Sequence, residues 1–254
     1  MSQSPEPMPP DGRLCLVDVG GAGGVQDKWM RAADRVMPVL FEPNPEQAAR
    51  LREIVAGQFD SSLVVESALA NTVGRRSLNI TQFWGCTSMR RPDPEVLSSY
   101  RIAPLFEMAR TVEVDCTRYD VLHAAGQVPA PDAIKIDVQG FEYEVLLGFG
   151  GLLQNCLGIE IETHLYPIYQ GQKLLGDMVA FLADFGFVLR ALRPVPSFDG
   201  DVVEADAWFT PGIARWRAMS PAQQAKFSLI CETWDLLDYR RIDPADPHWI
   251  IGPP

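Results

Sequence analysis

Apolar positions along the chain follow two rhythms. Short, largely apolar runs at Leu14 to Val19 and Met37 to Phe41, and one that ends at Asp137, have the character of buried strands, and Leu157 to Leu165 alternates as a further strand. Between them, apolar residues recur three and four apart. Pro45 to Gly57 gathers Ala48, Leu51, Ile54 and Val55 on one face, and Lys173 to Phe185 gathers Leu174, Leu175, Met178, Phe181, Leu182 and Phe185 before Gly186 ends the pattern. Strands alternating with amphipathic helices predict an α/β fold with a mostly parallel sheet and helices on both faces.

The weaker signals fill in the rest. Gln26 to Ala33 is a poorly written helix anchored by Trp29 and Met30, and Ser62 to Leu69 reads as a third strand. The alternating segment S-L-N-I-T-Q-F after Gly74-Arg75-Arg76 predicts a half-exposed strand, and T-V-E-V-D-C another. Thr117 with Asp120 resembles a capping box before a short helix through Leu122. Phe187 to Leu192 and Glu204 to Phe209 read as a hairpin. Ser220-Pro221 opens a last helix with Phe227, Ile230, Cys231, Trp234 and Leu237 on one stripe, packed on the body or on a second subunit as a homodimer contact. Residues 84–110, with Gly85, Pro92, Pro94 and Pro104, form a long lid-like insertion whose Trp84, Met89, Tyr100 and Phe106 face a substrate or pack it down. This divides the chain into a proline-rich, disordered leader (1–12), one domain (13–212) and a helical C-terminal extension (213–254).

Composition narrows the class. The 254 residues, 47% of them hydrophobic, suffice for one large domain, and no apolar run approaches the roughly 20 residues of a membrane span. A net charge of −11 without a basic block argues against nucleic acid or anionic membrane as partner. Five cysteines, an odd number lacking any C-x-x-C, predict reduced thiols and a cytoplasmic protein.

The chemistry concentrates where strands end. L-C-L-V-D-V-G-G-A-G-G (14–24) is a strand carrying Asp18 and running into Gly20, Gly21, Gly23 and Gly24, a turn whose backbone can reach unusual φ or approach a ligand closely. In open α/β sheets such ligands lie outside the carboxyl ends of strands. About twenty residues on, the second strand ends in Glu42-Pro43-Asn44, where a carboxylate can accept two hydroxyl hydrogen bonds from a ribose. Asn44-Pro45-Glu46 supplies the helix cap, which frees Glu42 for that role. Glu66 or Ser67, toward the end of the third strand, can reach an adenine edge or simply be exposed. A-I-K-I-D-V-Q-G-F-E (133–142) puts Asp137 at another strand end, with Lys135 two residues earlier on the same side. In L-G-I-E-I-E-T-H-L, period-two spacing puts Glu160, Glu162 and His164 on one face, a set that can supply a general base or, as the lesser reading, hold a divalent metal with Asp137.

V-D-V-G-G-A-G-G, F-E-P-N-P, S-A-L-A, V-E-V-D-C-T-R-Y-D-V-L, I-K-I-D-V-Q-G-F-E and I-E-I-E, in this order over about Leu14 to Phe209, resemble the FkbM family of S-adenosylmethionine-dependent methyltransferases. The resemblance implies a class I methyltransferase fold, a seven-stranded sheet in order 3-2-1-4-5-7-6 with the last strand antiparallel. It implies O-methylation of a hydroxyl on a sugar, glycan or secondary metabolite. By position it assigns Asp18, Gly20, Gly21 and Gly24 to the methionine end of the cofactor and Glu42 with Pro43 to its ribose. Asn44, Ser67 and Ala68 then lie by the adenosine, and Asp137 near the transferred methyl. Gly21-Ala22-Gly23 departs from the family's usual Ala-Asn-apolar turn, and the tail beyond Phe209 is not covered. No metal is assigned.

A sulfonium methyl is already activated, so the protein must align an oxygen with it and remove the hydroxyl proton. Asp137, Glu160 and His164 are the candidates for that base. Two other readings stand beside this one. A nicotinamide-dependent oxidoreductase would share the glycine turn and the acid, but the glycines here lack the G-x-G-x-x-G spacing. A non-catalytic member would keep the fold as an interaction module.

Overall fold

A computed structural model describes residues 12–21 and 23–241. Most of the leader and the last part of the C-terminal extension therefore lie outside the described residues. Seven strands make the main sheet: β1 (Leu14–Val19), β2 (Val36–Phe41), β3 (Leu63–Val65), β7 (Ala133–Ile136), β8 (Gly158–His164), β9 (Phe187–Val195) and β10 (Glu204–Pro211). Their order is β3-β2-β1-β7-β8-β10-β9, with β10 antiparallel to both neighbours. Counted within this sheet alone the order is 3-2-1-4-5-7-6. The chain numbering departs from it because three strands are diverted into a second sheet, β4 (Ala68–Leu69), β6 (Met108–Thr117) and β5 (Gly74–Thr81).

That second sheet corrects one expectation. The stretch 62–69 is not one strand: β3 stops at Val65, and β4 crosses to pair with β6. Ser67 marks the break, with its N–H bonded back to the Val65 carbonyl and its hydroxyl donating to the Asp115 carbonyl (3.0 Å).

The main sheet is covered on both sides. On one face α3 (Tyr119–Ala124), α4 (Glu142–Phe149) and α5 (Leu175–Ala183) bury Val17, Val19, Ile134, Ile136, Ile159 and Ile161. On the other, α1 (Pro45–Ala56) and α7 (Pro221–Trp234) cover Leu14, Leu16 and Leu40. The central strands are buried on both faces, which explains why they are largely apolar. Helix α1 begins as expected, with Asn44 Oδ1 accepting from Glu46 and Gln47 and proline at the first position.

Three local readings are corrected. The segment after the glycine turn is a kinked 3-10 helix, Asp27–Arg35, in keeping with its irregular pattern. Thr117 caps nothing: the N-cap of α3 is Arg118, which gives no side-chain cap and instead pairs its guanidinium with Asp120. Met108–Arg110, placed at the end of the insertion by sequence, belong to β6.

The C-terminal stripe is used within the chain. Phe227, Ile230, Cys231 and Trp234 are buried, and Trp234 meets Trp29 edge-on with ring centroids 6.0 Å apart. Gly158 of β8 makes room for that indole, since a Cβ there would strike the Trp234 ring. Leu237, by contrast, is exposed.

The insertion is packed over the carboxyl ends of the strands. Cys86, Leu97 and Phe106 form a separate apolar cluster with Ile168, Tyr169, Phe198 and Val203, away from the two main cores. Within the insertion lie a four-residue helix, α2 (Pro94–Leu97), capped by Asp93, and two short 3-10 turns, Trp84–Cys86 and Ala103–Phe106. After β10, the short α6 (Ile213–Arg217) leads to α7.

Candidate functional site

Strand register decides which side chains meet. Val19 pairs with Phe41 on one side and Ile136 on the other, and Ile136 pairs with Ile161. The next residue of each strand therefore forms a row along the rim: Glu42, Gly20, Asp137 and Glu162. One position below Val19, Asp18 is level with Lys135, and Lys135 with Glu160. The acids expected from separate strands are thus brought to one edge of the sheet.

The lower row is a ladder of alternating charge. Lys135 Nζ lies 3.5 Å from Asp18 Oδ1 and 3.4 Å from Asp137 Oδ2. Glu160 takes Lys28 from the 3-10 helix at 2.5 and 2.6 Å, and the same ammonium lies over the Trp208 ring. Burial raises the Asp18 pKa, opposed by Lys135. For Lys135 burial acts to lower the pKa, but the surrounding carboxylates, Asp18 first, outweigh it and raise it.

The glycine turn is pressed onto the neighbouring loop. Gly20 has φ +86°, and a Cβ there would collide with the Asp137 carbonyl. The Asp137 N–H donates to the Val19 carbonyl (3.0 Å), tying the two strand ends together. At Gly21 a Cβ would strike the Asp18 carboxylate, whereas nothing crowds Gly23. Gly24 closes the turn, its N–H donating to the Gly21 carbonyl. A cavity of about 250 Å³ lies beside this turn, lined by Gly23, Gln47, Arg50, Leu51 and Ile54.

Glu42 is partly buried, and desolvation raises its pKa. Its Oε1 accepts from the Asn44 N–H (2.7 Å) across Pro43. Ser67 and Ala68 follow the end of β3, next to the Glu42 backbone, whose N–H donates to the Val65 carbonyl. Glu66 is bound by Arg52 at 2.6 Å.

The candidates for the base differ sharply in access. The Asp137 side chain is 33% exposed, Glu160 only 4%, and His164 is fully enclosed, 3.2 Å from Glu204 Oε1. Sequence reasoning placed Glu160, Glu162 and His164 on one face but missed their partners. Lys28 had no periodic pattern to mark it. Gln139 was visible only as a polar residue before Gly140 in the turn after β7.

Gln139 proves central. It adopts φ +57°, followed by Gly140 at +89°. Its Nε2 donates to Glu162 Oε1 and reaches Asp137 Oδ1 at 3.4 Å. Tyr169 hydroxyl bonds Gln139 Oε1 (2.8 Å) and the Cys86 carbonyl (3.1 Å), and Ser88 hydroxyl donates to the Gln139 carbonyl (2.6 Å). The insertion is thereby fastened to the rim. Among the described residues, no group of three or more His, Cys, Asp or Glu side chains is arranged to hold a metal ion.

Comparison with known proteins decides what this rim belongs to. The profile of the methyltransferase FkbM domain matches residues 18–189, from the first acid of the ladder into β9. The chain belongs to the FkbM methyltransferase family. It is an S-adenosylmethionine-dependent methyltransferase, and the oxidoreductase and non-catalytic readings fall away. The 2-O-methyltransferase NoeI of Sinorhizobium fredii is 26% identical over 195 residues, covering 74% of this chain and 77% of that protein. Among solved structures, precorrin-6Y C5,15-methyltransferase from Geobacter metallireducens aligns at TM-score 0.37 and 13% identity over 78% of this chain and 80% of that one. LepI complexed with SAM aligns at 0.36 and 14% over 83% and 45%.

The residues present fit such a cofactor. Asp18 Oδ1 is buried at the turn, with Lys135 Nζ 3.5 Å away and no closer donor among the described residues. The turn beside it is held open by glycines, and Glu42 stands at the next strand end with one oxygen committed to Asn44. No described helix is long and apolar enough to cross a membrane.

Proposed function

We propose that this protein transfers the methyl of S-adenosylmethionine to a hydroxyl oxygen of a sugar, glycan or secondary metabolite. One observation carries the reading: strand register lines up Glu42, Gly20, Asp137 and Glu162 at a single rim, beside a glycine turn and under the insertion. Transfer to a hydroxyl oxygen is supported by the likeness to a 2-O-methyltransferase.

In this reading Asp18, Gly20, Gly21 and Gly24 hold the amino-acid end of the cofactor. Glu42 and Pro43 hold its ribose diol, with Asn44, Ser67 and Ala68 beside the adenosine. The bound cofactor supplies an electrophilic methyl on a cationic sulfur. The chain supplies alignment, exclusion of water and a proton acceptor. Of the other candidates for the base, Glu160 is paired with Lys28 and His164 is fully enclosed, so in this reading the acceptor of the proton belongs to the rim carboxylates, Asp137 among them. The buried thiols of Cys15, Cys86, Cys116 and Cys156 support a reducing, cytoplasmic setting.

The test is transfer of labelled methyl from the donor to a panel of oligosaccharides and hydroxylated natural products, with amines and carboxylic acids as controls. Alkali-stable methyl ethers are the expected products. Label found only in esters or methylamines would overturn the assignment to hydroxyls. A rise in melting temperature with S-adenosylhomocysteine but not with NAD is the companion result expected from the purified protein.

A further inference from the structure

Two carboxylates share one amide at the rim. Tyr169 fixes Gln139 with its oxygen toward the phenol, so both amide hydrogens point away from it, to Glu162 and Asp137. The two acids differ in their other neighbours. Asp137 has Lys135 at 3.4 Å, whereas no lysine or arginine among the described residues makes an ion pair with Glu162.

The groups around Glu162 are mostly acidic, on every element that packs against it. Asp137 comes from the end of β7, Glu142 from α4, and Glu204 and Asp206 from β10. His164, on its own strand, is spent on Glu204, and the neutral Tyr169 and Cys86 close the side under the insertion. Acids gathered in a partly buried site resist ionising together, which favours a cluster that keeps a proton or receives a cation.

Resting on the cofactor reading above, we propose that Glu162 is the proton carrier of the site: it gives up a proton when the sulfonium cofactor binds at this rim, and its carboxylate then takes the proton of the acceptor hydroxyl. During transfer a C–O bond forms to the methyl carbon and the S–C bond breaks, its electron pair staying on sulfur. The hydroxyl proton passes to Glu162. The positive charge lost from sulfur is thus replaced by a proton, and the net charge of the site is the same before and after.

The direction of the Glu162 titration agrees. Burial first, then Asp137, Glu204, Glu142 and Asp206, push it up to about 10 in the cofactor-free protein. A cation placed among these acids opposes that shift. Gln139 and Tyr169 are positioning residues that aim the carboxyl.

Calorimetric titration near neutral pH, in two buffers of different ionisation enthalpy, tests this with defined probes. S-adenosylmethionine should release about one proton per molecule bound, and the uncharged thioether S-adenosylhomocysteine much less. In E162Q both ligands should still bind, but the difference in proton release should vanish. Carbon-13 labelling of the glutamate carboxyls provides a readout in the unmutated protein: one signal should change from acid to carboxylate with S-adenosylmethionine only. Equal proton release for both ligands, or release unchanged in E162Q, would overturn the proposal while leaving the cofactor reading intact. If neither ligand binds the unmutated protein, the cofactor reading itself fails. With an acceptor in hand, E162Q should slow single-turnover transfer by about 10²- to 10⁴-fold.

Discussion

Two rows of charged side chains cross the same sheet one above the other, and they are built on opposite plans. In the lower row Asp18, Lys135, Glu160 and Lys28 alternate in sign: Asp18 pairs with Lys135, Glu160 pairs with Lys28, and Lys135 is level with Glu160 on the neighbouring strand. In the rim row Glu42, Asp137 and Glu162 are all acids, and among the described residues only Asp137 has a cation, borrowed from the row below. Compensated charge holds strands in place. Acids left without a cation at an accessible edge favour one, which in the proposed reading is the sulfonium. On that reading the rows separate what keeps the sheet together from what binds and reacts.

The largest effect is expected where the lower row is cut. Lys135→Met leaves Asp18 buried beside Asp137 without its counter-ion, and removing one partner of a buried pair costs about 3–5 kcal/mol. Chemical denaturation should show this loss, together with partial recovery in K135M/D18N. If K135M is as stable as the parent, the lower row does not have the structural role given to it here.

Much of this division was legible in the residues. Period-two spacing put Glu160, Glu162 and His164 on one side of β8 and Lys135 beside Asp137, and the coordinates keep both relations. The motifs at the strand ends gave the fold, because a buried strand followed by glycine or by an acid-proline pair has few other uses. What could not be read was pairing across long separations. Lys28 and Glu160 lie 132 residues apart, and Tyr169 reaches Gln139 from a segment with no periodicity of its own. The second sheet was hidden for a similar reason. Its strands alternate like those of any half-exposed sheet, and local pattern does not say which sheet a strand joins.

Next in size is the ribose end of the rim. Glu42→Ala should weaken S-adenosylhomocysteine binding about 10- to 100-fold, the worth of charge-assisted hydrogen bonds of roughly 1.5–3 kcal/mol, and should leave folding nearly unchanged. Calorimetry on E42A beside R52A, which alters a nearby pair outside the row, makes the comparison. Equal affinities in the two variants would remove Glu42 from the cofactor site.

The rim should also announce itself in the pH dependence of the cofactor-free protein. Burial raises the pKa of Asp18, Glu42 and Glu142, and that of Glu162 reaches about 10. A carboxyl raised in the native state keeps its proton over a range where the unfolded chain has released it. Its contribution is complete below about 4.5 and is lost as pH rises through the native value, with a slope of up to about 1.4 kcal/mol per pH unit for one proton. Thermal melts should therefore fall between about pH 6 and about pH 9, and less steeply in E162Q. A melting temperature that climbs over this interval would contradict the raised titration.

The smallest effect separates compensation from mere ion pairing. Arg52 and Glu66 stand 2.6 Å apart, closer than any contact Lys135 makes, yet each is nearly half exposed. Water already solvates both, so cutting the pair removes little Coulomb energy and restores side-chain freedom. R52A should cost less than about 1 kcal/mol, and added salt should erase even that. The contrast with K135M then isolates burial as the variable, since distance alone would rank the two pairs the other way round. Should R52A prove as destabilising as K135M, short distance would be the better predictor, and the distinction between a structural row and a reactive rim would lose its basis.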